Sequence, residues 1–166
     1  MNINNEFIGI RNIVREDMDF IQKLWGDEES MLASGGPYMI RDEDKDDLFT
    51  ILNKGQAISN HYMISVGDQL IGDLSIRDHS DDKAQLDMKI MNDERNKGYG
   101  KQALSLILDY FFNELGGKEV YFELWLVNYF ANKKLKDYGF EATSVTEDYN
   151  VMTLTRENYQ ESALKR

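Results

Sequence analysis

Apolar and polar residues follow two successive patterns between residues 85 and 115. From Gln85 to Ile90 they alternate, which is typical of a strand with one buried face. From Gly100 the apolar residues recur at helical spacing, and Gly116 ends the run where a left-handed cap is expected. The stretch therefore predicts a strand, a turn and a long amphipathic helix. The apolar stripe of that helix is Leu104, Ile107, Leu108, Phe111, Phe112 and Leu115.

The turn between this strand and this helix has the composition of an anion site. It reads Arg95-Asn96-Lys97-Gly98-Tyr99-Gly100, and Lys101 follows it. The first amides of a helix have no partner within the helix and carry the positive end of its dipole. Glycines let the backbone approach an anion, and basic side chains add positive charge. A solvated basic turn is the alternative, but the flanking strand and helix favour a phosphate-binding loop.

The first third of the chain predicts a strand, a helix, a loop and a second helix. The strand covers residues 7–14, and the helix begins at Arg15 with an acidic first turn and an apolar stripe that ends at Trp25. Residues 26–37 are predicted as a loop. A second helix that ends near Gly55 is expected next. The acidic run 41–47 is interpreted as its solvated N-terminus.

A hairpin is predicted next, from strands at 61–66 and 70–76. A turn at 79–82 then leads to the strand at 84–91. Three antiparallel strands would therefore precede the glycine turn. A doubly wound nucleotide fold places its glycine loop after an early parallel strand, so the order of elements disfavours a dinucleotide site.

After the long helix, residues 119–127 are predicted to form a strand that is apolar on both faces, as central strands are. The helical crossover makes this strand parallel to the one at 84–91. A short lysine-rich helix at 129–138, a closing hairpin at 141–156 and a polar tail at 157–166 complete the prediction.

The composition predicts one globular domain over residues 1–166. The chain is 42% hydrophobic and 11% aromatic, which is enough for a buried core. Cysteine is absent and the two histidines are isolated, so no metal site is expected. No apolar run approaches the roughly 18 residues of a membrane span, and residues 1–6 do not resemble a signal peptide. We expect a cytoplasmic protein.

The formal net charge is −11, from 30 acidic and 19 basic residues. A strongly acidic protein is a poor match for nucleic acid or an anionic membrane, so neither is expected as a partner. The same charge is compatible with steering a cationic amine towards the protein. Solubility alone also explains an acidic surface, so the charge does not decide the function.

Two ordered motifs resemble those of the GNAT superfamily of acyl-CoA-dependent N-acetyltransferases. Arg95-x-x-Gly98-x-Gly100 is similar to the R/Q-x-x-G-x-G/A pyrophosphate loop of that family. Asn128-Tyr129-Phe130-Ala131, followed by Leu135 and Tyr138-Gly139-Phe140, looks like its N-x-x-A…G-F segment. The segment from Trp25 to Pro37 resembles a branch that contains ribosomal-protein N-terminal acetyltransferases and many small-amine acetyltransferases.

The resemblance implies an α/β (α+β) fold. The expected architecture is a mixed, mostly antiparallel sheet of six to seven strands with a central splayed parallel pair and about four flanking helices. Acetyl-CoA would be the co-substrate and would lie where the parallel pair separates. Strand-end backbone and Asn128 would bind its pantetheine arm, and the loop amides would bind its pyrophosphate. The implied cofactor-binding residues are Ile90, Met91, Arg95, Asn96, Lys97, Gly98, Tyr99, Gly100, Lys101 and Asn128.

The resemblance also implies an acceptor cleft walled by the segment after the first helix, with Trp25, Glu28 and Tyr38 as its candidate residues. Core packing is the alternative for Trp25, because large aromatic side chains are mostly buried. Asp87 is the one carboxylate on the strand at 84–91. It is a candidate catalytic group if it faces the acceptor, and an ordinary surface residue if it faces solvent.

Direct attack of an amine on the thioester needs an unprotonated amine, a polarised carbonyl and preferably a proton donor for the departing thiolate. Many family members place a tyrosine donor four residues before the Gly-Phe pair, where this chain has Leu135. Tyr138 and Tyr129 are the nearby hydroxyl candidates, and Tyr138 is assigned. Protonation of the thiolate by water is the alternative.

These observations predict an acetyl-CoA-dependent N-acetyltransferase that acts on a primary amine. We place a small cationic amine, such as a polyamine or an aminoglycoside, ahead of a protein N-terminus as the acceptor. A non-catalytic acyl-CoA-binding module remains an alternative, and so does a nucleotide-binding regulatory domain that rests on the glycine loop alone. A homodimer is compatible with the sequence.

Overall fold

One sheet of eight strands organises the residues that the structure describes. A computed structural model describes residues 1–53, 59–80 and 82–165. The strands are β1 (Asn2–Asn4), β2 (Gly9–Asn12), β3 (Ser59–Val66), β4 (Gln69–Ser80), β5 (Lys83–Ile90), β6 (Glu119–Trp125), β7 (Glu141–Val145) and β8 (Tyr149–Thr155). Their order across the sheet is β1-β2-β3-β4-β5-β6-β8-β7.

Helices connect and cover these strands. The helices are α1 (Met18–Gly26), α2 (Glu28–Met31), α3 (Lys45–Leu52), α4 (Tyr99–Asp109), α5 (Tyr129–Asp137) and α6 (Arg156–Glu161). A π-helical turn, Tyr110–Glu114, extends α4. The left-handed Gly116, with φ of +75°, then turns the chain towards β6. Within the described ranges no helix is long and apolar enough to cross a bilayer.

The parallel pair β5–β6 interrupts an otherwise antiparallel sheet, and it separates soon after it forms. Because α4 carries the chain across one face of the sheet, β6 returns in the direction of β5. The two strands pair only at Lys83↔Glu119, Ala84↔Val120 and Gln85↔Tyr121 within the described residues. β5 continues to Ile90 beside β4. The sheet is therefore open between the later halves of β5 and β6.

Two apolar clusters cover the two faces of the sheet. The larger cluster joins apolar side chains of β2 to β6 and β8 to the buried stripe of α4, including Leu104, Ile107 and Leu108. The smaller cluster joins α1 to β3 through Met18, Ile21 and Met63, and α3 packs against it. Burial of apolar surface on both faces is the main force that holds the helices on the sheet.

The sheet confirms the predicted mixed fold and its parallel strand pair, with one strand more than the upper expectation. The additional strand is β1, which pairs with β2 at the edge of the sheet. The backbone of β4 runs to Ser80, so the turn predicted at 79–82 begins later than expected. The predicted helix end at Gly55 lies outside the described residues, and α3 ends at Leu52.

The predicted loop at 26–37 is wrong in its first half. The Asp27 side chain accepts a hydrogen bond from the Ser30 amide (2.7 Å) and caps α2. A 3₁₀ turn follows at Leu32–Ser34. Four helical residues are too few to show a hydrophobic period, so the pattern alone could not reveal α2.

The predicted polar tail at 157–166 is also wrong. Thr155 caps α6 by accepting a hydrogen bond from the Asn158 amide (3.2 Å). Tyr159 and Leu164 are buried against α4 as part of the larger apolar cluster. The apolar content of this segment is concentrated in these two side chains, so the surrounding polar residues hide its packing role.

Candidate active site

An open cavity of about 410 Å³ lies where β5 and β6 separate, and is here called the interstrand cavity. Residues 87–90 of β5 form one wall, and residues 122–125 of β6 form the other. The loop before α4 also lines the cavity, and so does the start of α5 with Asn128, Phe130 and Ala131. The cavity therefore lies in the opening that the sequence predicts for an acyl-CoA arm.

Two residues in the left-handed conformation shape the loop before α4. Gly98 has a φ of +87° and Asn96 a φ of +62°, so both residues are left-handed. A residue with a side chain rarely adopts this conformation, and glycine does so at no steric cost. Gly98 precedes the first turn of α4, whose amides have no helical acceptor. The loop therefore leads directly into a helix start whose amides can take a ligand as acceptor.

Arg95 braces this loop. Its Nε donates to the Ile90 carbonyl (3.0 Å), and its guanidinium also donates to the Ser30 carbonyl (2.5 Å). Burial lowers the pKa of Arg95 below its ordinary value, but a guanidinium stays charged at neutral pH. The side chain thereby ties α2 to the end of β5. Lys97 pairs with Glu94 (2.9 Å), while Lys101 is exposed and lines the interstrand cavity.

The helix α5 contributes Asn128, Leu135 and Tyr138 to the interstrand cavity. The Asn128 side chain accepts a hydrogen bond from the Ala131 amide (3.1 Å), so its oxygen caps α5 and its amide nitrogen is the group left for a ligand. Leu135 is buried in the cavity wall. Burial, and secondarily the charge of Asp137, raise the pKa of Tyr138 above its ordinary value. Its hydroxyl therefore keeps its proton at neutral pH.

A second cavity, of about 430 Å³, lies beside α1 and is here called the Trp25 cavity. Its lining includes apolar side chains of α1, α2 and α3 and polar side chains of β3, β4 and β5. Alternation within each strand and the register between strands place five of these polar side chains on one face of the sheet, namely His61, Ser75, Arg77, Asp87 and Lys89. Asn60 precedes His61 on β3 and lies on the other face. His61, Ser75 and Asp87 are direct neighbours across the three strands. The next row towards the Ile90 end of β5 pairs Asp73 with Lys89.

Asp73 is the centre of a buried hydrogen-bonded cluster. One of its oxygens, Oδ2, accepts from His61 Nε2 (2.8 Å) and from Trp25 Nε1 (2.7 Å). Burial raises the pKa of Asp73, but the hydrogen bonds from His61 and Trp25 and the charge of Lys89 outweigh burial and lower it. The carboxylate is therefore ionised, which lets it hold both rings in fixed orientations.

Lys89 joins the two cavities. Burial lowers the pKa of Lys89, but the carboxylates of Asp73 and Asp87 outweigh burial and raise it above the ordinary value. Its ammonium pairs with Asp87 and lies over the Trp25 ring, 5.7 Å from the ring centre. Lys89 and Asp87 are the two residues that line both cavities within the described ranges. A fixed positive charge therefore lies where the two cavities meet.

The structure brings most of the sequence-predicted residues to one of the two cavities. Ile90, Arg95, Asn96, Gly100, Lys101, Asn128 and Tyr138 line the interstrand cavity, Trp25 and Tyr38 line the Trp25 cavity, and Asp87 lines both. The remaining predicted residues, Glu28, Met91, Lys97, Gly98 and Tyr99, are absent from both described linings.

Two backbone groups predicted to bind the cofactor arm already have partners. The Met91 amide donates to the Ile71 carbonyl (2.9 Å), and the Ile90 carbonyl accepts from Arg95. A carbonyl oxygen has a second lone pair, so Ile90 keeps one acceptor site for a ligand. The Met91 amide, in contrast, is already engaged and is not available to a ligand.

The sequence patterns missed His61, Asp73, Ser75 and Lys89. These polar residues alternate with apolar residues along three strands, so each reads as an ordinary residue on the polar face of its strand. A signal was present, because Asp73 and Ser75 interrupt the apolar strand at two positions on one face. Only the strand register shows that these positions meet His61 and Lys89.

Comparisons with known proteins agree with this geometry. The family model of the Acetyltransferase (GNAT) domain matches residues 8–141. No curated protein sequence matches the chain at a significant level. The chain therefore belongs to the GNAT family on the strength of the domain match, and it is an acetyl-CoA-dependent N-acetyltransferase.

Solved structures of family members share the fold. An acetyltransferase from Bacillus anthracis is 16% identical, with a TM-score of 0.81 over 95% of this chain and 99% of that one. A spermidine N-acetyltransferase from Vibrio cholerae, in complex with CoA and spermine, is 18% identical, with a TM-score of 0.82 over 93% and 99%. Apo FdhC, a nucleotide-linked sugar GNAT, is 17% identical, with a TM-score of 0.79 over 97% and 93%.

Proposed function

We propose that the protein transfers the acetyl group of acetyl-CoA, bound in the interstrand cavity, to a small primary amine bound in the Trp25 cavity. The observation that carries this proposal is that the two cavities meet at Asp87 and Lys89. A two-substrate reaction needs two sites that converge on one point, and both cavities reach the Asp87–Lys89 pair.

The interstrand cavity fits acetyl-CoA in three respects. Within the described residues the later half of β5 does not pair with β6, so its backbone is available to an extended arm that carries amides. The first amides of α4 suit a pyrophosphate at one end. Lys101, which also lines the cavity, adds positive charge.

Two chemical requirements of the transfer, a polarised carbonyl and a proton donor, have candidate groups. The amine nitrogen attacks the thioester carbonyl carbon and forms the C–N bond, and the C–S bond breaks. Lys89 supplies a fixed positive charge at the junction, where it would stabilise the negative charge that develops on the carbonyl oxygen. Tyr138 keeps its proton and would donate it to the departing thiolate.

Two observations support different acceptors. The net charge of −11 and the resemblance to a spermidine N-acetyltransferase favour a small cationic amine. The described lining of the Trp25 cavity contains Arg77 and Lys89 against Asp87, and this set favours a primary amine that also bears an acidic group. An amino sugar or an amino acid with an acidic substituent would have this chemistry.

Release of free thiol from acetyl-CoA would test the proposal. The acceptors would be polyamines, aminoglycosides, neutral and acidic amino acids, acidic amino sugars and peptides with a free N-terminus. Saturable turnover with one class identifies both the activity and the acceptor. Saturable CoA binding without turnover on any amine would contradict the proposed transfer and favour a binding module.

Arg77→Ala would then separate the two acceptor classes. If an acidic group is bound, the KM of the acidic acceptor rises about tenfold or more, because a charge-assisted hydrogen bond contributes roughly 1.5–3 kcal/mol, while the KM of acetyl-CoA stays constant. If the acceptor is a cation, the same substitution lowers its KM.

A further inference from the structure

The acceptor amine must lose a proton before it can attack, and the Trp25 cavity has to accommodate this step. An alkyl ammonium resembles the lysine side chain, whose pKa is about 10.4, so it arrives protonated at neutral pH. The lone pair on nitrogen becomes a nucleophile only after a nearby group takes one proton. Which group in the cavity takes this proton is a question that rests on the proposed function.

Several charged groups line or border the Trp25 cavity, and most are already engaged. Asp87 is paired with Lys89, whose ammonium has no lone pair to offer. Arg77 carries a guanidinium that does not deprotonate in proteins. Asp73 accepts two hydrogen bonds and is absent from the described cavity lining. His61 remains, as a cavity-lining side chain with a nitrogen that can accept a proton.

Asp73 determines which nitrogen of His61 can accept the proton. An ionised carboxylate only accepts hydrogen bonds, so His61 Nε2 carries the hydrogen that Asp73 accepts. The lone pair of the neutral ring is then on Nδ1. The His61 side chain is only 8% exposed, and the Trp25 indole donates to the same Asp73 oxygen. The ring is therefore held in one tautomer and one orientation.

Two buried polar atoms beside this pair have no partner in the described part of the chain. They are Ser75 Oγ and Asp73 Oδ1. Both residues are on β4, two positions apart and on one face of the sheet, and Ser75 is the direct cross-strand neighbour of His61. A buried polar atom without a partner is costly, so native structures retain it mainly where a ligand or water completes it. A primary ammonium has three N–H donors, which suits acceptors at these positions.

We propose that His61, positioned by Asp73, accepts the proton of the acceptor ammonium in the Trp25 cavity, and that Ser75 Oγ binds the same amine. The proton moves from the ammonium nitrogen to His61 Nδ1, and the nitrogen lone pair becomes free. The imidazolium is stabilised by the Asp73 carboxylate. The amine then attacks the thioester, and the attacking nitrogen loses a second proton as the C–S bond breaks. That proton replaces, through solvent, the one that Tyr138 gives to the thiolate, and His61 later returns its own proton to water.

The test measures kcat/KM against pH for the wild type and for His61→Gln, with acetyl-CoA and the acceptor identified by the thiol-release panel. Loss of a general base typically costs 10²–10⁴-fold, so we expect kcat/KM near neutral pH to fall by at least about 100-fold. The decline of activity on the acid side, which reports protonation of the base, is lost in the variant. The dissociation constant of CoA, measured by calorimetry, stays within about twofold of wild type.

The matched control is Ile64→Val on the same strand. Ile64 is buried on the opposite face of β3, and this change typically costs about 0.5–1.5 kcal/mol, so it tests whether modest destabilisation alone lowers activity. It should retain wild-type kcat/KM. Asp73→Asn is the positioning variant, and it should lower kcat and shift the acid side of the pH profile while leaving the acceptor KM nearly unchanged.

A measurement on the wild type alone keeps the proposal testable if the buried variants fold poorly. Two acceptors whose amine pKa values differ by about two units should share the same acid-side decline, because the titrating group belongs to the enzyme. A decline that moves with the pKa of the acceptor overturns the assignment of His61. So does His61→Gln with wild-type kcat/KM and an unchanged profile. Absence of wild-type turnover on every amine would instead contradict the proposed function itself.

Discussion

At the scale of single residues, Tyr138 is the proposed proton donor for the departing thiolate. It lines the interstrand cavity, and burial and Asp137 raise its pKa. A general acid works only while protonated, so its activity falls as pH rises through its pKa. A raised pKa moves that fall to higher pH. Tyr138→Phe should therefore lower kcat about 10²-fold or more, the typical contribution of a positioned proton donor.

The matched control for this prediction is Tyr129→Phe. Tyr129 is the other hydroxyl that the sequence offered, but its side chain is 78% exposed and it is absent from the described cavity lining. Steady-state kcat for both variants, measured from about pH 6 to about pH 10, checks the assignment. Equal losses in both variants would contradict a specific role for Tyr138, and no loss in Tyr138→Phe would mean that water protonates the thiolate.

The residues that sequence could predict differ physically from those it could not. The loop from Arg95 to Gly100 is contiguous in sequence. The glycines before the helix directly indicate the left-handed backbone that the loop needs. His61 and Asp73 are 12 positions apart and are joined by strand register. In the sequence, nothing distinguishes Lys89 from the other polar residues of the alternating strand β5. Their association depends on which strands pair, which local patterns do not encode.

At the scale of elements, the start of α4 is the feature that a conservative change can probe. Gly98 has a φ of +87° at the N-terminus of this helix, and a Cβ there would meet no atom within 4 Å. Alanine at Gly98 would therefore cost backbone strain of about 1–2 kcal/mol, without a clash. We expect the loop to relax from its anion-binding shape and the KM of acetyl-CoA to rise about tenfold, with the acceptor KM unchanged.

Gly67→Ala is the control for this prediction. Gly67 has a φ of +55° in the β3–β4 turn, and a Cβ at this position would also meet no atom within 4 Å. Both substitutions should lower the midpoint of urea unfolding by similar amounts, but only Gly98→Ala should weaken CoA binding. Equal CoA affinity in the two variants would argue that the α4 amides do not hold the pyrophosphate.

The helix α6 shows why a helix near the C-terminus was hard to predict from the sequence. Tyr159 is fully buried against α4, and its hydroxyl donates to the Ser105 carbonyl (3.3 Å). Tyr159→Ala should destabilise the protein by about 3–5 kcal/mol, as aromatic-to-alanine changes in cores do. Tyr129→Ala, at an exposed site, should change stability by less than about 0.5 kcal/mol. Urea unfolding monitored by circular dichroism measures both, and a small effect at Tyr159 would contradict the packing of α6.

Local sequence patterns predicted the strands and helices that carry long periodic runs, and they failed where an element is short or is held by few apolar side chains. The strand β5 and the helix α4 have enough repeats to show their period. The four-residue α2 is defined by one cap and by burial of Ser30 and Met31. That burial is a property of the assembled sheet, so no window of sequence contains it.

At the scale of the whole molecule, the charge of −11 and the charges of the Trp25 cavity act over different distances. The net charge attracts a cation from solution, and added salt screens this attraction, since the Debye length falls from about 10 Å at 0.1 M to about 3 Å at 1 M. Arg77, Asp87 and Lys89 act at contact, where salt screens less. A salt series can therefore separate steering from recognition.

We predict that raising the salt concentration from about 20 mM to about 1 M lowers the ratio of kcat/KM for a polyamine to that for a monoamine by about tenfold, within the range expected for electrostatic steering. The comparison uses two acceptors on one enzyme, so effects of salt on acetyl-CoA binding cancel in the ratio. NaCl and KCl at equal concentration should give the same ratio, because screening depends on ionic strength. A constant ratio would mean that the acidic surface serves solubility, and that the groups of the Trp25 cavity alone decide which amine is acetylated.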